Sequence, residues 1–216
     1  MRTVNSKKAF CLFRHPSSNS EAKQSLSWLI SCRLLLLFSL ACAAGVFCSF
    51  FSNATTVHNE LMRAYFASFS PNSISSWITN SIRNSAFDVS ILSALLLSAM
   101  TFFCPAAVHL LILLSGLTYG ICIGIITGGN FENPHFAFVY IIATSVWAIF
   151  IARWSASLLR FNRQCIATRE NHVKGKSLYV SPLLKQYLRQ GLAAILFLLT
   201  YRLTFSFALA FILILL

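Results

Sequence analysis

Arg202 is the residue whose position most demands a chemical explanation. It interrupts an otherwise uncharged run, 191–216, with eleven residues before it and fourteen after. A guanidinium stays charged at any accessible pH, and placing one mid-membrane costs about 2.5–3.5 kcal/mol on insertion scales, so it faces a partner or a watery path. The sequence offers it no Asp or Glu at comparable depth in another run. The candidate partners are backbone carbonyls, His109, Thr200, Thr204 or another protein. His109 lies about one turn into a second apolar run. There it is either a proton relay or a hydrogen-bonded packing residue.

The sharpest spacing is Gly116, Gly120, Gly124 and Gly128, a glycine zipper at i, i+4, i+8 and i+12 that uses half of the eight glycines. On a helix these positions form one strip without side chains. In lipid, such strips let two helix backbones approach closely. The strip is either a self-association or partner surface, or an internal seam against small residues such as Ala41, Ala44 and Gly45.

Enzymatic constellations are missing. Leu114-Ser115-Gly116 is not a GxSxG turn and has no suitably placed histidine. There is no HExxH, no glycine-rich phosphate loop after a strand and no pair of carboxylates. The seven cysteines contain no CxxC; Cys42, Cys48, Cys104 and Cys122 sit in apolar runs, and Cys11, Cys32 and Cys165 in basic segments. The expectation is a non-enzyme with no cofactor and no metal.

The elements that position these residues follow from composition. Of 216 residues, 57% are hydrophobic and 10% charged, with mean hydropathy +0.71 and net charge +12. Soluble domains carry about 25% charged residues, so a soluble enzyme, a disordered tail and a disulfide-rich secreted module are excluded. The basicity reads as membrane orientation rather than nucleic-acid binding. A bilayer core needs about 20 apolar residues of helix. Spans are therefore expected at about 34–51, 85–103, 106–127, 135–152 and 191–216. The stretch 89–127 is too long for one crossing and is divided at Cys104-Pro105, where proline disfavours helix before it and suits a helix start after it. A cleavable signal around Ala41-Cys42-Ala43 is disfavoured by the 33 residues ahead of the apolar core.

Charge sets the parity. The segment 1–33 is net +5 and 153–190 is net +7, whereas 52–88 balances Arg63 and Arg83 with Glu60 and Asp88, and 128–134 carries only Glu132. Five spans put both basic segments in the cytoplasm, as the positive-inside rule requires. The expected fold is thus an all-α integral membrane protein with five transmembrane helices, a cytoplasmic N-terminus and an extracytoplasmic C-terminus. Its parts are a basic segment 1–33 and one membrane domain 34–216 in the bacterial cytoplasmic membrane. The external loop 52–88 has helical periodicity: Leu61, Tyr65, Phe66 and Phe69, then Trp77 with Ile74, Ile78 and Ile82. It forms a surface for the membrane, the bundle or a partner. Asn53-Ala54-Thr55 matches a glycosylation sequon. The segment 153–190 begins as a continuation of the fourth helix, in which Trp154, Leu158, Leu159 and Phe161 alternate with Arg153, Arg160 and Arg163, a face suited to anionic headgroups. Residues 171–181 read as a loop, and Pro182 starts a short helix into the last span.

The order of these features resembles the stage II sporulation protein M family of endospore-forming bacteria. The resemblance rests on Ala44-Gly45-Val46 in the first span, the aromatic segment from Leu61 to Phe69, and the paired spans with Gly116, Gly120 and Gly124. The Trp147 to Arg160 stretch and the final Tyr187 to Leu216 segment complete it. Arg202, where the family favours an acid, and the short 128–134 loop depart from it. The resemblance implies a scaffold at the sporulation septum that localises peptidoglycan-degrading enzymes during forespore engulfment. A homo-oligomer is compatible with it. The reading from another class is a small transporter or permease subunit using Arg202 and His109.

Overall fold

The structure, a computed structural model, describes residues 17–51, 79, 81–83, 85–128, 134–173 and 180–215. Among these residues there is helix and turn but no strand. The helices are α1 (Ser17–Phe51), α2 (Ala86–Ser98), α3 (Cys104–Gly128), α4 (Pro134–Val173) and α5 (Val180–Leu215). Four contain a segment long and apolar enough to cross a membrane: Ser27–Phe50, Cys104–Gly128, Ala137–Thr168 and Lys185–Ala208. The protein is therefore an all-α, multi-pass membrane protein. The fifth apolar helix, α2, has 13 residues and is about 20 Å long at 1.5 Å per residue, short of the ~30 Å core.

The distribution of side chains is that of a protein solvated by lipid. Large apolar residues such as Leu36, Leu40, Phe47, Leu110 and Leu192 point outward, while Asp88, Ser115, Asn162, Arg202 and Ser206 are buried. Water would reward the opposite arrangement.

Helix directions follow from register. On α1 and α3, Ala41 lies against Gly116, Cys42 against Gly120, Val46 and Ser49 against Gly124, and Phe50 against Gly128. The numbers rise together, so the two helices are parallel. On α5 and α2 they run oppositely: Tyr187 donates to the Leu96 carbonyl (3.0 Å), Arg202 meets Asp88, and Ser81 bonds Ser206 (2.8 Å). Helix α4 is antiparallel to α3, since Trp147 bonds Ser115 and Asn162 reaches the start of the α3 side.

Two boundaries differ from expectation. The turn between the second and third elements is 99–103, not Cys104-Pro105; Cys104 is already helical, and Pro105 occupies the first turn, where its missing N–H goes unneeded. The fourth helix continues past its 135–152 apolar core, as expected, and runs unbroken to Val173. The last helix starts at Val180, two residues before Pro182. The expected features at Leu61, Tyr65, Phe66, Phe69, Trp77 and the sequon lie outside the described residues.

Candidate functional site: a buried charge node

The expectation that Arg202 has no acid within reach is overturned. Asp88, assigned from sequence to the external loop, sits in the first turn of α2 with no exposed surface, and its Oδ2 accepts a hydrogen bond from Arg202 Nη2 in an ion pair. Tyr119 Oη donates to the other carboxylate oxygen, Oδ1, at 2.7 Å, and accepts from Arg202 Nη2 at 3.3 Å. Three helices therefore meet through three side chains: α2 gives the anion, α5 the cation and α3 a phenol satisfied by both. Both charged groups are over nine-tenths buried, so solvent screens them little.

The physical cause is mutual. A lone Asp and a lone Arg each cost about 2.5–3.5 kcal/mol at a helix centre on insertion scales. Bringing opposite charges together in low dielectric offsets much of both penalties. Sequence signals for this pairing existed. The expected second span, 85–103, already contained Asp88, and the insertion penalty on Arg202 called for an acid in another span.

An aromatic shell surrounds the node. The Tyr119 ring lies 6.4 Å from Phe38, 6.2 Å from Tyr140 and 6.5 Å from Trp147 between centroids. Tyr201 stacks on Trp147, and its hydroxyl donates to the Ala143 carbonyl at 3.1 Å. One turn further along α5, Ser206 bonds Ser81.

His109 does not join this centre. It is half-buried, and its Nδ1 lies 2.6 Å from the Pro105 carbonyl four residues earlier. Thr200 and Thr204 likewise bond back to the carbonyls of Leu196 and Thr200, the usual way a hydroxyl is satisfied on a membrane helix.

The glycine strip is an internal seam. A Cβ on Gly120 would overlap the Cys42 carbonyl, one on Gly116 would come within 2.6 Å of the Phe38 carbonyl oxygen, and one on Gly124 would strike Ser49. Gly45 faces back onto Leu117 and Gly120. Gly128 meets only the Phe50 ring edge, at 3.1 Å. Of the small residues expected opposite the strip, Ala41 and Gly45 are in the contact and Ala44 is exposed.

Asn162, which sequence reading passed over, anchors the α2–α3 turn. Its Nδ2 donates to the carbonyls of Ala99 (2.9 Å) and Thr101 (2.7 Å), and the residue is 2% exposed. Further along the seam, the Trp154 indole donates to the Gln190 carbonyl (3.3 Å) and Gln190 donates to Ser157 (2.9 Å), tying α4 to α5. Of the basic amphipathic face, Trp154, Leu158, Leu159 and Phe161 turn inward and Arg153 and Arg163 outward. No group of three His, Cys, Asp or Glu residues able to hold a metal occurs among the described residues.

Fold and site together define a multi-pass helical membrane protein with a charge node joining three helices. No family model, no curated protein and no solved structure matches the chain.

Proposed function

We propose that the protein is a non-enzymatic membrane scaffold with five crossings, its N-terminus in the cytoplasm and its C-terminus on the outer face. In the role its resemblance implies, it localises peptidoglycan-degrading enzymes at the septum during forespore engulfment. The parallel packing of α1 and α3 supports five crossings, because the chain must return between them and α2 runs in the returning direction. One observation carries the scaffold reading: Asp88, Tyr119 and Arg202 satisfy one another as a joint between helices. The chemistry available in the membrane is thus spent on holding the bundle together.

Deletion of the gene in its host, with sporangia scored by microscopy, tests this reading. The expected phenotype is arrest at a thickened, undissolved septum; normal sporulation, or a host that forms no spores, overturns it. A reporter fused after Leu216 is expected on the outer face, and a cytoplasmic signal refutes the topology.

The transporter reading gains one specific observation, an acid beside Arg202 at membrane depth. It predicts that the purified protein dissipates a pH gradient in pyranine-loaded liposomes and that Asp88→Asn abolishes this without loss of assembly. The scaffold reading predicts no protein-dependent flux.

A further inference from the structure

The seam between α4 and α5 opens toward lipid as two adjoining grooves, of ≈ 300 and ≈ 470 Å³, that share Val146 and Phe197. Together they run from Val139 on α4 to Arg153 and Trp154, about 20 Å at 1.5 Å per residue. Along this seam lies a ladder of rings. Trp154 stacks on Phe150, Phe150 on Phe197 (centroids 3.7 Å), Phe197 on Tyr201 and Tyr201 on Phe205. Trp154 and Tyr201 are also pinned by hydrogen bonds to the Gln190 and Ala143 carbonyls. The ladder is therefore rigid, apolar and elongated.

One end of the groove is charged. Arg153 lines it, is exposed, and has no ion pair among the described residues. Arg153 stands where the apolar run 135–152 gives way to the basic segment 153–190, the level at which a guanidinium beside an apolar groove meets lipid phosphates. Planar, bidentate donation suits a phosphate. The surrounding 153–190 segment, net +7, raises the local concentration of anionic lipid.

We infer that this groove is a binding site for an anionic phospholipid, with one acyl chain lying along the ring ladder and the phosphate on Arg153. The site selects charge at Arg153 and chain at Val146, two features that can be removed separately.

Native mass spectrometry of the full-length protein in detergent, titrated with phosphatidylglycerol and phosphatidylcholine of identical acyl chains, tests this. The wild-type chain is expected to retain phosphatidylglycerol about tenfold more strongly than phosphatidylcholine, and Arg153→Gln to lose that preference. Arg163→Gln, which removes an exposed charge that does not line the groove, is the control and keeps it. Val146→Trp, which fills the shared part of the groove at a lipid-facing position, is expected to lose retention while keeping Arg153. Equal retention of both lipids by the wild type overturns the proposal. So does an Arg163→Gln loss as large as that of Arg153→Gln, or unaltered binding by Val146→Trp. Competition by inorganic phosphate alone also counts against it, since that would leave the chain no part in recognition.

Discussion

Replacing Asp88 by Asn leaves Arg202 a cation in the core with Tyr119 Oη as its neighbour in place of a carboxylate. Removing one partner of a buried pair destabilises by about 3–5 kcal/mol, because the other charge stays desolvated and uncompensated. Both groups are more than nine-tenths buried, so this range needs no discount for exposure. Arg202→Met is expected near its lower end, since an orphaned carboxyl can discard its charge by binding a proton whereas a guanidinium cannot. The double variant, with neither charge, should lie within about 1 kcal/mol of wild type, as when buried ion pairs are exchanged for neutral side chains. The cycle should thus yield a coupling energy of at least about 5 kcal/mol, above the usual range for contacting residues. Reversible unfolding by SDS in mixed micelles, followed by circular dichroism and tryptophan fluorescence, measures all four proteins on one scale. A double variant as unstable as the two singles added together, that is a coupling below about 0.5 kcal/mol, would show that the two charges do not stabilise each other and would sink the node as the joint of the fold.

Other consequences follow from the same geometry. Alanine at the glycines should give a graded series in SDS resistance: Gly120→Ala and Gly116→Ala strongly destabilising against Phe38 and Cys42 backbone, Gly128→Ala mild because the Phe50 ring edge can shift, and Gly191→Ala nearly neutral, its nearest neighbour being 3.7 Å away. Equal effects at all four would refute the α1–α3 seam. Asn162→Ala leaves the Ala99 and Thr101 carbonyls without their side-chain donor and should cost about 1–3 kcal/mol. Faster amide exchange is then expected first at 99–104, and uniform exchange across α2 and α3 would contradict this anchoring. Tyr119→Phe removes the hydroxyl between Asp88 and Arg202 and should cost about 1 kcal/mol, typical of intramembrane hydrogen bonds; a loss matching Asp88→Asn would make the phenol, not the ion pair, the main tie. Ser115→Ala removes the acceptor of the Trp147 indole at 3.3 Å and should blue-shift that residue's emission, while an unchanged spectrum would argue against the contact.

Much of the architecture was legible because membrane helices obey one dominant constraint. Without water, an uncharged run must be helical, so the apolar stretches around Leu34, Leu110, Ile149 and Leu196 announced themselves. The glycine strip was legible as a contact surface for a similar reason, since four side-chain-free positions on one face have few uses in lipid. What escaped was the ends of elements and their cross-helix partners. Asn162 looked like one polar residue among several in a basic segment. Its value depends on a turn some sixty residues earlier in the chain, and no local spacing encodes that contact. The continuation of α4 beyond its apolar core was legible, because Leu158, Leu159 and Phe161 keep helical spacing and pack inward, so Arg160 and Arg163 do not stop the helix.

Sequence alone therefore determined the solvent of this protein, its helical class and the chemical oddness of Arg202, because hydropathy and charge cost are properties of segments. That Asp88, outside the expected candidates, neutralises Arg202, and whether the glycines face inward or outward, only the tertiary structure decided. Those outcomes depend on how helices lie beside one another. In lipid, a backbone approach at Gly120 or a charge meeting between Asp88 and Arg202 selects the arrangement, with no hydrophobic gradient to select it instead.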